Sequence, residues 1–158
     1  HCLTVPREVT VGADGLLRQW PVAEIDGVRG FAQPVNPAVG AILPHHHADI
    51  ELLGIEGDLE MGLDGQLELS FSADEGLLRM AFADEKTAVG RTERVMPLAT
   101  LRELRVLVDG STVEVYVNHG EGVLSTRWFP TADTLLVTLH ATCESARSWE
   151  MGGEPPRA

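Results

Sequence analysis

The run from Leu104 to Pro130, LRVLVDGSTVEVYVNHGEGVLSTRWFP, constrains this chain more than any other stretch. Leu104, Val106 and Val108 alternate with Arg105, Leu107 and Asp109. Val113, Val115 and Val117 alternate with Glu114, Tyr116 and Asn118. A period of two built from β-branched residues is a strand signal. Gly110 and Ser111 supply a two-residue turn, with Gly110 where positive φ is needed. That turn sets Asp109 opposite Thr112 and gathers the leucine and the five valines on one face. A second turn, Asn118 to Val123, extends the meander. With Asn118 paired to Val123, Leu124, Thr126 and Trp128 join the same face. On the other face Glu114 then lands beside Arg127, a cross-strand pair contributing roughly 0.2–1 kcal/mol. A one-residue slip would turn the apolar set outward.

The rest of the chain follows the same grammar. Candidate strands are Cys2–Val5, Glu8–Val11, Leu16–Trp20, Ala41–Leu43, Ile50–Ile55, Leu59–Leu63 and Leu67–Ser72. Leu77–Ala83, Thr87–Arg91, Leu101–Asp109, Thr112–Asn118, Val123–Phe129, Thr134–Thr142 and Ser145–Met151 complete the set. Asp64-Gly65 marks a hairpin. Val22–Arg29 reads as one or two helical turns. Gly30–His47, with three prolines, reads as a loop wrapping an edge, and 152–158 as a frayed Gly/Pro-rich tail. Many short strands at this spacing predict an all-β fold over residues 1–151. The expected form is a two-sheet antiparallel β-sandwich of the lectin-like jelly-roll type.

At 158 residues the chain can bury one real core. Its net charge of −12 argues against nucleic acid and anionic membrane as partners. No apolar stretch is long enough to span a bilayer and no signal-peptide pattern is present. Cys2 and Cys143 read as free thiols rather than a disulfide framework, which favours a cytoplasmic location. The chain opens at His1-Cys2-Leu3 without a methionine and reads as an excised domain.

Two blocks resemble the C-terminal β-sandwich module of glycoside hydrolase family 32, the invertases, fructanases and sucrose-6-phosphate hydrolases. The first is Leu3-Thr4-Val5-Pro6-Arg7-Glu8, then Gly15-Leu16-Leu17-Arg18-Gln19-Trp20-Pro21-Val22 and Glu24. The second holds Val108-Asp109, Ser111, Val113-Glu114-Val115-Tyr116-Val117-Asn118, Gly120 and Phe129-Pro130. The resemblance implies a bimodular β-fructofuranosidase. An N-terminal five-bladed propeller would carry the retaining pair of carboxylates, and the sandwich would pack against it. The propeller signatures Asn-Asp-Pro-Asn, Arg-Asp-Pro and Glu-Cys do not occur in this chain, and Cys143-Glu144 runs in the reverse order. No catalytic, metal or cofactor residue is carried over. The partners implied are the propeller of the same parent chain, a second copy in a homo-oligomer, and weakly bound sugar. The alternative is a carbohydrate-binding, lectin-like module.

Arg7, Glu8, Trp20 and Glu114 are the candidate domain-interface residues. Glu114 sits among valines, where a carboxylate needs a partner, either the propeller or Arg127. Arg7 and Glu8 would meet the propeller or pair within the sandwich, and Trp20 marks the junction. Trp128, Trp149 and Tyr116 are the remaining rings able to stack on sugar, with Trp128 expected in the core. His45-His46-His47-Ala48-Asp49 has the composition of a metal cluster. Neighbouring strand residues point to opposite faces, so the stretch reads as a solvated loop rather than a zinc site.

Overall fold

A computed structural model describes residues 3–152. Two six-stranded antiparallel sheets and a two-stranded ribbon account for its strands. The strands are β1 (Arg7–Val11), β2 (Leu17–Pro21), β3 (Arg29–Pro34), β4 (Ala41–Leu43), β5 (His47–Leu53), β6 (Glu56–Leu63) and β7 (Leu67–Ser72). They continue with β8 (Leu77–Phe82), β9 (Arg94–Pro97), β10 (Glu103–Asp109), β11 (Thr112–Val117), β12 (Gly122–Arg127), β13 (Leu135–Thr142) and β14 (Ser145–Met151). The first sheet runs β12-β11-β10-β5-β14-β3 and the second β4-β13-β6-β7-β8-β9, while β1 and β2 pair only with each other. This is the all-β sandwich that the alternation predicts.

The β10–β11 hairpin has the expected register. Leu104 lies opposite Val117, Val106 opposite Val115 and Asp109 opposite Thr112, with Gly110 at φ 57°. Across β5 the same face continues through Val106 to Ile50 and Leu104 to Leu52. The second sheet answers with a row of Leu139, Met61, Leu69 and Met80, each opposite the next. All of these side chains are buried in one core, with Trp128 fully enclosed among them. The Asp64-Gly65 hairpin also forms, joining Leu63 to Leu67.

The turn after β11 departs from expectation. Val117 pairs with Gly122 and Glu114 with Ser125, two residues away from the register that would set Glu114 beside Arg127. The cause is Asn118. Its Oδ1 accepts from the Arg102 and Glu103 amides, and its Nδ2 donates to the Thr100 carbonyl and to Glu121. Tied to the chain entering β10, Asn118 leaves the strand at φ 48°, followed by His119 at φ 53°. A slip of two preserves the face of every side chain, so Leu124, Thr126 and Trp128 still point inward. Arg127 instead donates to the Ser111 hydroxyl.

Four further segments differ. Thr87–Arg91 is not a strand: Glu85–Ala88 forms one helical turn, α1, capped by the Asp84 carboxylate on the Thr87 amide and ended by Val89 at φ 49°. Gly30–His47 is more than a loop, since besides the expected strand Ala41–Leu43, β4, it holds most of edge strand β3. Arg94–Pro97 is a strand, β9, that its single apolar pair hides. Leu3–Val5 is not in a strand, while Cys2 and positions 153–158 lie outside the described residues. Val22–Arg29 is largely a 3-10 turn over Ala23–Val28.

The outer faces of the two sheets are unlike each other. On the second, Glu60, Glu68 and His140 meet solvent. On the first, the N-terminal segment lies over the sheet, so β11 is buried along its whole length. Gly120 shows how closely it lies. A Cβ there would come within 2.5–2.8 Å of the Gln19 backbone, and Gly120 sits at φ 91°. Gly120→Ala is therefore expected to destabilise the fold by about 1–3 kcal/mol through overpacking and backbone strain. Denaturant unfolding of the variant would measure it, and an unchanged midpoint would disprove the contact.

Candidate functional site

The expected interface residues converge under that N-terminal cover. Glu114 and Tyr116 alternate with the core valines and so share the outer face of β11. Glu114 is 2% exposed. Its carboxylate accepts from Arg7 Nη2 at 2.6 Å, from the Tyr116 hydroxyl at 2.7 Å and from the Val5 amide at 2.8 Å. Arg7 also donates to the Tyr116 oxygen, to Gln19 Oε1 and to the Ser125 hydroxyl. Trp20, half-buried, stacks on His119 at 4.7 Å and meets Tyr116 edge-on at 5.8 Å. Arg7, Trp20 and Glu114 thus form one cluster that fixes β1 and β2 to the sheet. Glu8 stands apart, with its side chain exposed on the ribbon.

Electrostatics follow from the burial. Desolvation works against the Arg7 guanidinium, but its hydrogen bond to Glu114 and the nearby Tyr116 together hold its pKa above the ordinary arginine value. Burial raises the Tyr116 phenol, and the Glu114 carboxylate, which accepts its proton, raises it further.

A second cluster on the same face was not legible in the sequence. Asp49 is fully buried and takes Arg105 in bidentate fashion, Nε to Oδ1 at 3.1 Å and Nη2 to Oδ2 at 2.6 Å. Arg29 adds a bond to Oδ2 at 2.7 Å, and Arg105 reaches Asp26 in the 3-10 turn at 2.6 Å. Asp49 and Asp26 offset the desolvation of Arg105 and raise its pKa. Three segments far apart in sequence meet here, 26–29, Asp49 and Arg105. The only local sign was Arg105 at an outward strand position, since Asp49 fell in the stretch read as a loop.

The remaining candidates disperse. His46 turns inward, its Nε2 2.7 Å from Asp64 Oδ2 and its ring edge-on to Trp128, while His47 turns outward to Asp109 at 2.9 Å. Among the described residues no group of three or more His, Cys, Asp or Glu side chains is placed to hold a metal ion. Asp109 is exposed at the sheet end and Glu114 is closed under the ribbon, so their carboxylates are engaged separately. Trp128, Trp149 and Tyr116 are buried. Cys143 is a half-buried free thiol whose pKa burial raises. A shallow depression of about 510 Å³ on the second sheet is lined by Glu60, Glu68, Thr138 and His140 among others, with no Phe, Tyr or Trp.

The fold and this cluster define a β-sandwich whose first sheet is covered by its own N-terminal segment. Residues 63–150 match the family described as glycosyl hydrolases family 32 C terminal, and the chain belongs to that family. It is 31% identical over 156 residues to a sucrose-6-phosphate hydrolase of Bacillus subtilis, covering 92% of this chain and 32% of that protein. It is 30% identical over 158 residues to a raffinose invertase of Escherichia coli, covering 89% and 32%. The solved sucrose-6-phosphate hydrolase of Lactobacillus gasseri superposes with a TM-score of 0.74 at 21% identity, covering 92% of this chain and 33% of that one. The chain thus spans about a third of the length of these relatives.

Two measurements check the cluster. Glu114→Ala leaves Arg7 without its carboxylate and is expected to cost about 3–5 kcal/mol of unfolding free energy. A double-mutant cycle with Arg7→Ala should recover a coupling above about 1 kcal/mol, and simple additivity would rule the pair out. Tyr116 is the only tyrosine, so tyrosinate absorbance reads it alone. Its folded pKa is raised, so its contribution to stability is complete below the ordinary value of about 10 and is lost as pH rises further. Native protein should form no tyrosinate until it unfolds, and Tyr116→Phe should flatten the alkaline fall in stability.

Proposed function

We propose that this chain is the C-terminal, non-catalytic sandwich of a β-fructofuranosidase, supporting a preceding catalytic domain that cleaves sucrose or sucrose 6-phosphate. The observation that carries the reading is the family match together with the relatives' names, two thirds of whose length this chain does not span. The site supports it in a second way. A retaining glycosidase needs two carboxyl groups facing each other across an open cleft. Of the buried carboxylates of the outer face, Glu114 is held by Arg7, Tyr116 and the Val5 amide, and Asp49 by Arg105 and Arg29. Carboxylates held in this way anchor chain segments.

In this reading Arg7, Trp20 and Glu114 serve the domain contact indirectly, by holding the ribbon in place. Glu8, exposed, is available to touch the partner. The same reading places the parent enzyme in the cytoplasm, consistent with two widely spaced cysteines and the free Cys143 thiol. No helix among the described residues is long and apolar enough to cross a membrane.

Calorimetric titration of the 158-residue chain with sucrose, sucrose 6-phosphate and short fructans tests the assignment. The expected result is heat of dilution only. Saturable heat would favour the lectin-like alternative, and sustained heat with release of fructose would place an active site in this chain.

A further inference from the structure

Arg7, Arg18, Arg29, Arg79 and Arg105 each pair with a carboxylate. Among the described residues Arg91 and Arg94 do not. Arg91 Nη1 donates to the Ala88 carbonyl at 3.0 Å and to the Val89 carbonyl at 3.4 Å, and Arg94 Nη1 to the Thr92 carbonyl at 3.2 Å. Glu93 lies between them in sequence, yet it pairs with Arg79 at 3.8 Å.

The two guanidiniums meet a third in one hollow. A concavity of about 290 Å³ opens where edge strand β12 of the first sheet comes beside edge strand β9 of the second. Arg91, Arg94 and Arg127 line it with the hydroxyl residues Thr112, Ser125 and Thr126, and among the described residues no carboxylate does. The fold holds this arrangement. The Phe129 amide donates to the Thr87 carbonyl at 3.2 Å, which ties the turn of α1 to the chain leaving β12. Arg91 and Arg127 then lie over the same Phe129 ring, 5.5 and 5.1 Å from its centre. The Ser111 hydroxyl accepts from Arg127 at 2.6 Å. Glu114, opposite Ser125 in the ladder, is already held by Arg7, Tyr116 and the Val5 amide. Ser125 accepts from Arg7 and keeps its own proton to donate.

Like charges gathered without a carboxylate between them repel one another. On a chain of net charge −12 the long-range field keeps anions away, so positive charge concentrated at one point is a local feature. A hollow so lined suits an anion that can offset several guanidiniums at once. The planar guanidinium fork matches a phosphoryl group in bidentate fashion, and hydroxyl donors serve its remaining oxygen atoms.

We infer that this hollow binds a phosphoryl group, carried by inorganic phosphate or by a small phosphate monoester. Arg91 and Arg94 supply the N–H donors that the backbone carbonyls leave unused, Arg127 adds charge, and Ser125 supplies a hydroxyl proton. The inference goes beyond the function proposed above and does not depend on it, because it needs only residues of this sandwich.

Phenylglyoxal modification of the full-length protein in phosphate-free buffer, read residue by residue by mass spectrometry, tests this without any substitution. Arg102 and Arg147, exposed and outside the hollow, serve as internal references. Inorganic phosphate is expected to slow modification of Arg91 and Arg94 saturably, by about threefold or more, and to leave the references unchanged. Equal slowing by chloride at the same ionic strength would reduce the effect to screening and overturn the inference. Stronger protection by acetate than by phosphate would overturn the phosphoryl assignment. Guanidiniums already unreactive without phosphate would overturn it too, because another part of the protein would then fill the hollow. Phenyl phosphate separates the two sources: better protection than by phosphate assigns the site to a monoester, and equal or poorer protection to the free ion. As a second measurement, Arg94→Gln removes a side chain that otherwise bonds only the Thr92 carbonyl, so the melting temperature should hold. The phosphate concentration that half-protects Arg91 should then rise roughly tenfold, and an unchanged concentration would count against the site.

Discussion

A carboxylate closed off in the middle of a strand governs how this sandwich is built. Removing an ionised group from water costs several kcal/mol unless donors replace the water. Glu114 finds them in Tyr116, two residues along its own strand, and in Arg7 and Val5, more than a hundred residues earlier. The consequence is architectural. A strand with valines on one face and Glu114 and Tyr116 on the other cannot leave its second face to solvent once that pair forms. The N-terminal segment is therefore drawn across it. Asp49 repeats the device one strand beyond β10, with Arg105 and Arg29 as donors and Asp26 bringing in the 3-10 turn. The chain has eleven arginines and one lysine. Both clusters depend on a planar, always-charged donor that can hold several acceptors at once, which lysine does poorly.

These polar clusters divide the labour with the apolar core. The core needs only hydrophobic residues of about the right size in the right alternation, and many sequences would satisfy it. A buried ion pair is more demanding, because a wrong partner leaves a charge stranded. Its contribution here is to place one segment at one angle. Trp20 on His119, and Gln19 against a glycine that admits no side chain, reinforce that placement.

Legibility in the sequence follows the range of the interaction. The β10–β11 hairpin was readable residue by residue, because alternation and a glycine turn are local. The next hairpin kept its faces but shifted by two, because Asn118 answers to Thr100, Arg102 and Glu103 rather than to its own strand. Thr87 looked like a strand residue by propensity, and the cap from Asp84 outweighed it. Glu114 was recognised as needing a partner, but the wrong arginine was nearer in the expected register. Asp49 with Arg105 was invisible, since nothing local joins positions 56 residues apart. Three of the residues expected at a domain contact, Arg7, Trp20 and Glu114, gather instead around Tyr116 within the sandwich, a geometry no local signal carried. Arg7, Trp20 and Glu114 face one another, and the exposed surface beside them belongs to plain valines and leucines that no motif marks.

That arrangement bears on why the fold places buried charge under its N-terminal ribbon. A segment held on a sheet by apolar contact alone could slide, because hydrophobic attraction has no preferred direction. Hydrogen bonds of defined length and angle at the ribbon's base hold it in one orientation. The carboxylates of Glu114 and Asp49, each held by several donors from distant parts of the chain, anchor the segments that reach them.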